Sequence, residues 1–372
     1  MKLQIDRQEM LEAFATVASV VPSRTPKPVL ECVLVACEQG RLELAATDLE
    51  VAVRSALERF EVEGGPGRLL LPASRTLSIL RELTAERVEL ELEQGVVTLR
   101  AGGDVFRMVV PEAEDYPSVE TSGEPAQGEI AVPAGALAAM LRRSLIAVAT
   151  DSTHYAMNGV LFELDPERLR LVATDGKRLA LCEQPLAEGD AARFSRVVPS
   201  KGAQLLYRLA AREQAEPVRL QPGGVRLSGR HGGTQLTTQL IEGQFPPYVQ
   251  VIPAASRRRV ELGRQALLGA LRRAALLAER EASAVRLSFG QGSLRLSART
   301  PEVGESHIEL PVAWEDEPLE VGFNPAFLID ALKVMESERV ELELGEQAQS
   351  EPAVLREPGG AFLYVVMPME LD

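Results

Sequence analysis

Alternation of apolar and polar positions dominates the chain, and stretches of helical spacing interrupt it at regular intervals. Leu169, Leu171 and Ala173 alternate with Arg170, Val172 and Thr174, the period of two that marks a strand. Asp175-Gly176 follows and predicts a two-residue type I′ turn, whose two positions both need positive φ. Lys177 to Cys182 returns as the partner strand. Further on the N-terminal side, Leu137, Met140, Leu141, Leu145 and Val148 recur at three and four and predict an amphipathic helix over 133–148. Helical stretches are likewise expected over 200–212 and 263–278.

The same order of elements occurs three times. A strand and helix open at Lys2, Glu129 and Arg258. A strand pair carrying AATDLEVAV, VATDGKRLAL or SARTPEVGES follows, and then a second strand and helix in LLLPASRTLSILREL, RVVPSKGAQLLYRLA and VGFNPAFLIDALKVM. Ala46, Ala173 and Ala298 recur at steps of 127 and 125 residues, and Pro72, Pro199 and Pro325 at 127 and 126. Each of these prolines is expected to open a helix, where its missing N–H costs nothing. A period of this size means duplicated domains, since solenoid repeats are far shorter. Three domains are expected, over 1–121, 129–252 and 259–372. Polar linkers lie at 121–128 and 252–258. The class is α+β, with two helices packed on antiparallel sheets in each domain.

Composition sharpens this picture. Apolar residues make up 45% of the 372, but aromatics only 4%, so the cores must be built from Leu, Val and Ala. No apolar run reaches bilayer length, and MKLQIDRQEM lacks the apolar segment of a signal peptide; no membrane association is expected. Three cysteines without CxxC spacing and three scattered histidines argue for a reducing cytoplasm and against a disulfide framework or local zinc site.

The net charge of −14 argues against a simple nucleic-acid binder, yet the charge is unevenly placed. The three stretches 133–148, 200–212 and 263–278 contain Arg142, Arg143, Lys201, Arg208, Arg212, Arg264, Arg272 and Arg273 and no acid. Arg142 and Arg143 fall opposite the apolar stripe of their helix. Lys201, Arg208 and Arg212, spaced by seven and four, share one side of theirs. Such faces suit a polyanion, although solvated charged helix faces are common. The acids concentrate in strands such as VELELEQ and VELELGE.

Catalytic signatures are missing: the chain has no Walker loop, GxGxxG, GxSxG or HExxH. His154 lies beside Asp151 and Ser152, but close sequence neighbours rarely form a triad. Asp48 and Asp175 recur at matching repeat positions, which turn formation explains. No catalytic residue, metal or cofactor is assigned.

ATDGKRLA from Ala173, MNGVLFE from Met157 and the closing YVVMPMEL from Tyr364 resemble the bacterial sliding clamps, the β subunits of the replicative DNA polymerase. The resemblance covers essentially the whole chain. It implies three tandem domains of the DNA-clamp fold and a head-to-tail homodimer forming a ring of six domains around double-stranded DNA. It implies no enzymatic activity and a cytoplasmic, nucleoid-associated processivity factor. The implied partners are the replicative polymerase, the clamp loader, translesion polymerases, and mismatch-repair and ligase-type proteins, docking through short Gln/Leu/Phe-containing motifs.

By the same resemblance the docking groove is lined by Met157, Thr174, Gly176, Lys177, Arg178, Leu179, Pro246, Val251, Asn324, Phe327, Met367, Pro368, Met369, Glu370 and Leu371. Apolar walls with few polar anchors suit a peptide, thioethers adapt to varied sequences, and Arg178 is expected to meet its polar groups. Glu370 and Lys177 depart from the family's frequent basic residue and His, which bears on partner preference. Arg24, Tyr155 and Lys201 match positions that approach DNA, joining Arg142, Arg143, Arg208, Arg212, Arg272 and Arg273 as DNA-facing residues. Phe106, Leu276 and Leu277 match the apolar dimer seam, with Glu302, Glu305 and Glu309 expected to pair with Arg100 and Arg107 across it. The alternative is a soluble hydrolase whose site is assembled from distant residues.

Overall fold

The computed structural model describes residues 1–119, 128–150, 155–186, 193–212, 215–253, 258–277, 284–300, 304–360 and 362–371. The expectations on Asp151, Ser152, His154, Glu302 and most of both linkers lie outside the described residues.

The three expected repeats are visible as one element order. The first carries β1 (Lys2–Asp6), α1 (Arg7–Ala18), β2 (Cys32–Glu38), β3 (Arg41–Thr47), β4 (Val51–Leu57), β5 (Phe60–Glu63), β6 (Gly67–Pro72), α2 (Ala73–Glu82), β7 (Arg87–Glu93), β8 (Val96–Ala101) and β9 (Asp104–Val109). The second carries β10 (Ile130–Val132), α3 (Ala134–Leu145), β11 (Gly159–Leu164), β12 (Arg168–Thr174), β13 (Arg178–Pro185), β14 (Phe194–Pro199), α4 (Ser200–Ala210), β15 (Val218–Pro222), β16 (Arg226–His231) and β17 (Thr234–Gln239). The third carries β18 (Arg258–Gly263), α5 (Arg264–Ala274), β19 (Val285–Gly290), β20 (Ser293–Thr300), β21 (Gly304–Pro311), β22 (Leu319–Phe323), α6 (Pro325–Val334), β23 (Arg339–Leu344), β24 (Ala353–Arg356) and β25 (Phe362–Val366).

The helices form where the apolar spacing requires. In α1 the buried residues are Met10, Ala13, Phe14 and Val17, and Asp6 caps the helix by accepting from Glu9 N. In α6 Asn324 accepts from Ala326 N, and Pro325 stands at the first position. Pro72 and Pro199, expected inside their helices, instead end the preceding strands one residue earlier. Both α3 and α5 stop short of the predicted 148 and 278.

The chain falls into two compact units, Met1–Leu137 with Gln204–Leu240, and Ala138–Ala203 with Ile241–Asp372. In the first unit the sheets run β5-β1-β7-β8-β9 and β10-β15-β16-β17-β4-β3-β2-β6. In the second they run β14-β11-β12-β13-β25-β24-β23-β18 and β21-β20-β19-β22. The two eight-stranded sheets each fuse strands of successive repeats: β17 pairs antiparallel with β4, and β25 with β13. Strands of neighbouring repeats thus share backbone hydrogen bonds and a continuous core. The four-stranded sheet ends on β21, and the five-stranded one on β9.

Candidate functional site

The second unit gathers most of the apolar motifs around the β12–β13 hairpin. The loop differs from the expected type I′ turn. Thr174 pairs with Leu179, leaving four loop residues, and among 175–178 only Gly176 has a positive φ, at 84°. The cause lies in the side chains. Thr174 Oγ1 donates to Arg178 O and accepts from Gly176 N, while Asp175 Oδ1 accepts from Lys177 N and Arg178 N. These local bonds outweigh the preference of an Asp-Gly pair for a two-residue turn.

Next to this loop runs the end of the chain. Val365 pairs with Leu179 and Val366 with Arg178. Met367 N donates to Lys177 O at 2.9 Å, and Met369 N to Gly322 O at 2.8 Å. A Cβ on Gly322 would lie 2.9 Å from the Met369 carbonyl oxygen, so a side chain there would push the tail off β22. Leu179, Leu181, Leu363, Val365 and Tyr248 share a buried cluster against which Phe245 and Ile252 pack. That cluster fixes 245–252 above the sheet, bringing Pro246 and Val251 to the same face. Val251 is 49% exposed and Met367 39%.

Arg178, expected to meet a ligand, is already engaged. It bonds Asp175 at 2.9 Å and Asp330 at 3.1 Å, and its guanidinium lies 4.4 Å from the Phe327 ring centre. Burial alone would lower its pKa, but Tyr364, Asp175 and Asp330 outweigh that and hold it above the ordinary value. Tyr364 OH in turn donates to Phe327 O. Arg178 therefore locks α6 and β25 to the hairpin and shapes the wall. Asp330 and Tyr364 are the residues sequence reasoning left unassigned here; Tyr364 lies inside the YVVMPMEL motif, and Asp330 is the one acid of α6. Met157 is buried, its carbonyl accepting from Ala149 N. Asn324 acts as the cap of α6. Pro368 is half-buried and Glu370 exposed.

The basic residues separate into two groups. Arg24, Tyr155, Arg208, Arg272 and Arg273 are exposed and Lys201 half-exposed. Three others have partners within the chain, Arg143 and Arg212 mostly buried and Arg142 in a surface pair. Arg143 pairs with buried Glu357 at 2.8 Å and lies over Phe362. Arg142 pairs with Glu336. Arg212 donates to Thr16 and Thr234, and burial lowers its pKa. At the expected seam, Phe106 and Leu277 are half-buried and Leu276 is 78% exposed. Arg100 is held at 2.7 Å by Glu91 of its own sheet. Arg107, Glu305 and Glu309 remain exposed on the edge strands β9 and β21. Asp48 repeats the loop role of Asp175, accepting from Glu50 N and Val51 N. No helix among the described residues is long and apolar enough to cross a membrane.

Comparison with known proteins agrees along the whole chain. Residues 1–120, 131–247 and 249–370 match the N-terminal, central and C-terminal domains of the DNA polymerase III beta subunit. The beta sliding clamp of Pseudomonas putida is 33% identical and that of Vibrio cholerae 31%, with full coverage of both chains in each case. The crystal structure of the Pseudomonas aeruginosa sliding clamp bound to griselimycin superposes with a TM-score of 0.93 at 32% identity, again over all of both chains. The chain belongs to the bacterial sliding-clamp family, the beta subunits of DNA polymerase III.

Proposed function

We propose that two copies close head to tail into a ring of six domains around duplex DNA, and that the ring tethers the replicative polymerase and other replication and repair proteins. The three domains are taken as 1–121, 129–252 and 259–372. Partners dock their short motifs in the groove between the Thr174–Leu179 hairpin, the 245–252 segment and the tail from Met367. The single observation that carries this reading is the fusion of repeats by one strand pairing used twice, β4 with β17 and β13 with β25. By repeat position β21 stands where β4 and β13 stand, and β9 where β17 and β25 stand.

Both are edge strands, and exposed edges invite pairing. Carrying the register over sets Glu305 opposite Arg107 of a second copy, and Ser306 opposite Phe106. A heterologous contact of this kind makes a closed ring when its rotation closes. Leu276 and Leu277, following α5, supply the apolar part of the seam.

Arg24, Tyr155, Lys201, Arg208, Arg272 and Arg273 approach phosphates without reading sequence; Arg142, Arg143 and Arg212 stiffen the wall behind them. A closed ring stays on DNA by topology, so a lining that held phosphates tightly would only impede sliding. The protein is not an enzyme, and the hydrolase alternative is set aside because the family match leaves no part of the chain for another fold. The reading includes a cytoplasmic, nucleoid-associated location and no membrane partner. Native mass tests the closure: the expected species is about twice 40.4 kDa, reduced to the single-chain mass by Arg107→Glu and restored by adding Glu305→Arg. A wild-type monomer at micromolar concentration would contradict it.

A further inference from the structure

The first unit contains the counterpart of the groove loop, built by the same bonds. Thr47 Oγ1 donates to Val51 O and accepts from Leu49 N, as Thr174 does with Arg178 and Gly176. Asp48 repeats Asp175. Gln239 N donates to Glu50 O at 2.9 Å, as Met367 N does to Lys177 O. Thr237 pairs with Ala52, as Val365 does with Leu179. A cavity of about 200 Å³ lies there, lined by the loop, by Ser118 and Val119, and by Arg226, Thr237 and Gln239.

Its chemistry differs from that of the groove. Thr237 and Gln239 stand where Val365 and Met367 stand, and Ala52 replaces Leu179. Arg226 is half-buried in the lining and has no carboxylate within ion-pair distance among the described residues, Glu50 on the opposite rim included. Leu49 occupies the position of Gly176 with φ 82° and is 49% exposed. A branched side chain is held there in the left-handed region, at a conformational cost, and it overhangs the opening.

We propose that this cavity is a second peptide-docking site, taking an extended acidic segment of a partner. The carboxylate meets Arg226, a hydroxyl or amide donor meets the side-chain oxygen of exposed Gln239, whose nitrogen is bonded to Leu49 O, and an apolar residue covers Leu49; Thr237, buried and bonded to Ser228, forms the floor. A half-buried guanidinium without a counter-ion favours an anionic ligand, and charge-assisted bonds are the strong ones. The site is independent of the apolar groove and goes beyond the function proposed above.

The test uses the full chain and two fluorescein-labelled pentapeptides, Thr-Leu-Ser-Val-Asp and its uncharged counterpart Thr-Leu-Ser-Val-Asn-amide, titrated by anisotropy. Excess unlabelled Gln-Leu-Ser-Leu-Phe is present throughout to fill the apolar groove. The expected result is saturable binding, with the acidic peptide favoured roughly tenfold or more. Arg226→Gln removes the preference while still binding labelled Gln-Leu-Ser-Leu-Phe, which separates loss of the site from loss of the fold. Leu49→Ser weakens both pentapeptides alike. The proposal is overturned if neither pentapeptide saturates below about 1 mM, if the two bind equally, or if the preference survives in Arg226→Gln. Failure of Gln-Leu-Ser-Leu-Phe itself to bind would count against the apolar groove alone.

Discussion

The junction of the first and second repeats and that of the second and third share a backbone and differ in what holds them. Both fuse two strands antiparallel beside a hairpin loop braced by Thr and Asp side chains. At the second junction a cation comes from α3: Arg143 pairs with Glu357, which also accepts from Glu336 N and Ser337 N. At the first junction the position of Arg143 is held by Thr16, and the cation comes from beyond the end of α4, where Arg212 bonds Thr16 and Thr234. The overlying segments differ too. Tyr116 OH accepts from Thr47 N and donates to Cys32 O, both next to its own hairpin loop; in the matching segment Phe245 stands in its place, and the hydroxyl comes from Tyr248, which donates to Glu163 and accepts from Arg170 farther along the sheet. The first junction is therefore braced by polar bonds beside its loop and lined there by polar groups; the second is pinned by a buried ion pair and carries apolar residues beside its loop, with its polar bonds placed farther along the sheet. The two junctions keep one frame, and a few side chains make the surface beside the loop polar in one and apolar in the other.

The comparison breaks most readily at the buried pair. Glu357→Ala leaves the mostly buried Arg143 with only the exposed Glu336 carboxylate, at 3.9 Å, and should cost about 3–5 kcal/mol. Arg212→Ala, which removes hydrogen bonds but no ion pair, should cost about 1–2 kcal/mol. Chemical denaturation, with amide exchange in β25 and β17 as local readouts, checks both; equal costs would remove the distinction between the junctions.

Tyr116 supplies the next test. Burial pushes its hydroxyl up to about 12, from an ordinary tyrosine value near 10. Folding therefore favours the protonated form. This contribution is fully present below pH 10 and is lost as the pH rises from 10 through 12, at up to about 1.4 kcal/mol per pH unit. Tyr116→Phe should lower stability at neutral pH by about 1–2 kcal/mol and make the alkaline fall shallower. An unchanged alkaline limb would show that Tyr116 is not the group that titrates.

Smaller effects follow from exchanging side chains between the junctions. Met367→Gln gives the groove the residue that stands in the first cavity and should weaken binding of Gln-Leu-Ser-Leu-Phe by about tenfold, near 1.4 kcal/mol. No change in affinity would mean that Met367 is outside the contact. Smallest is Leu49→Gly, expected to raise stability by up to about 1 kcal/mol through relief of the left-handed conformation, part of which glycine's larger unfolded-state entropy offsets. A loss of stability would show that the Leu49 side chain packs more than its exposure suggests.

Much of the architecture was legible in the chain. The repeat step located all three copies, and the apolar spacing of Leu137, Met140 and Leu141 located α3. Local chemistry misled at Asp175-Gly176, because the Thr174 hydroxyl and the Asp175 carboxylate compete for the same backbone groups as a tight turn. Charge on a helix face also misled. Arg143 and Arg212 look alike in sequence to Arg208 and Arg272, and only residues far along the chain, Glu357 and Thr16, distinguish the internally bonded cations from the exposed ones. The groove motifs were legible as separate pieces. Their assembly around Arg178, Asp330 and Tyr364 depends on the pairing of β13 with β25, which no local pattern announces.

The most direct test of the account is binding of fluorescent Gln-Leu-Ser-Leu-Phe to the full chain and to a chain lacking Met367 to Asp372, with circular dichroism as the control for folding. The account predicts saturable binding to the full chain and its loss in the shortened, folded one. Equal binding by both would contradict the placement of the groove, and absence of binding by the full chain would contradict the docking function itself.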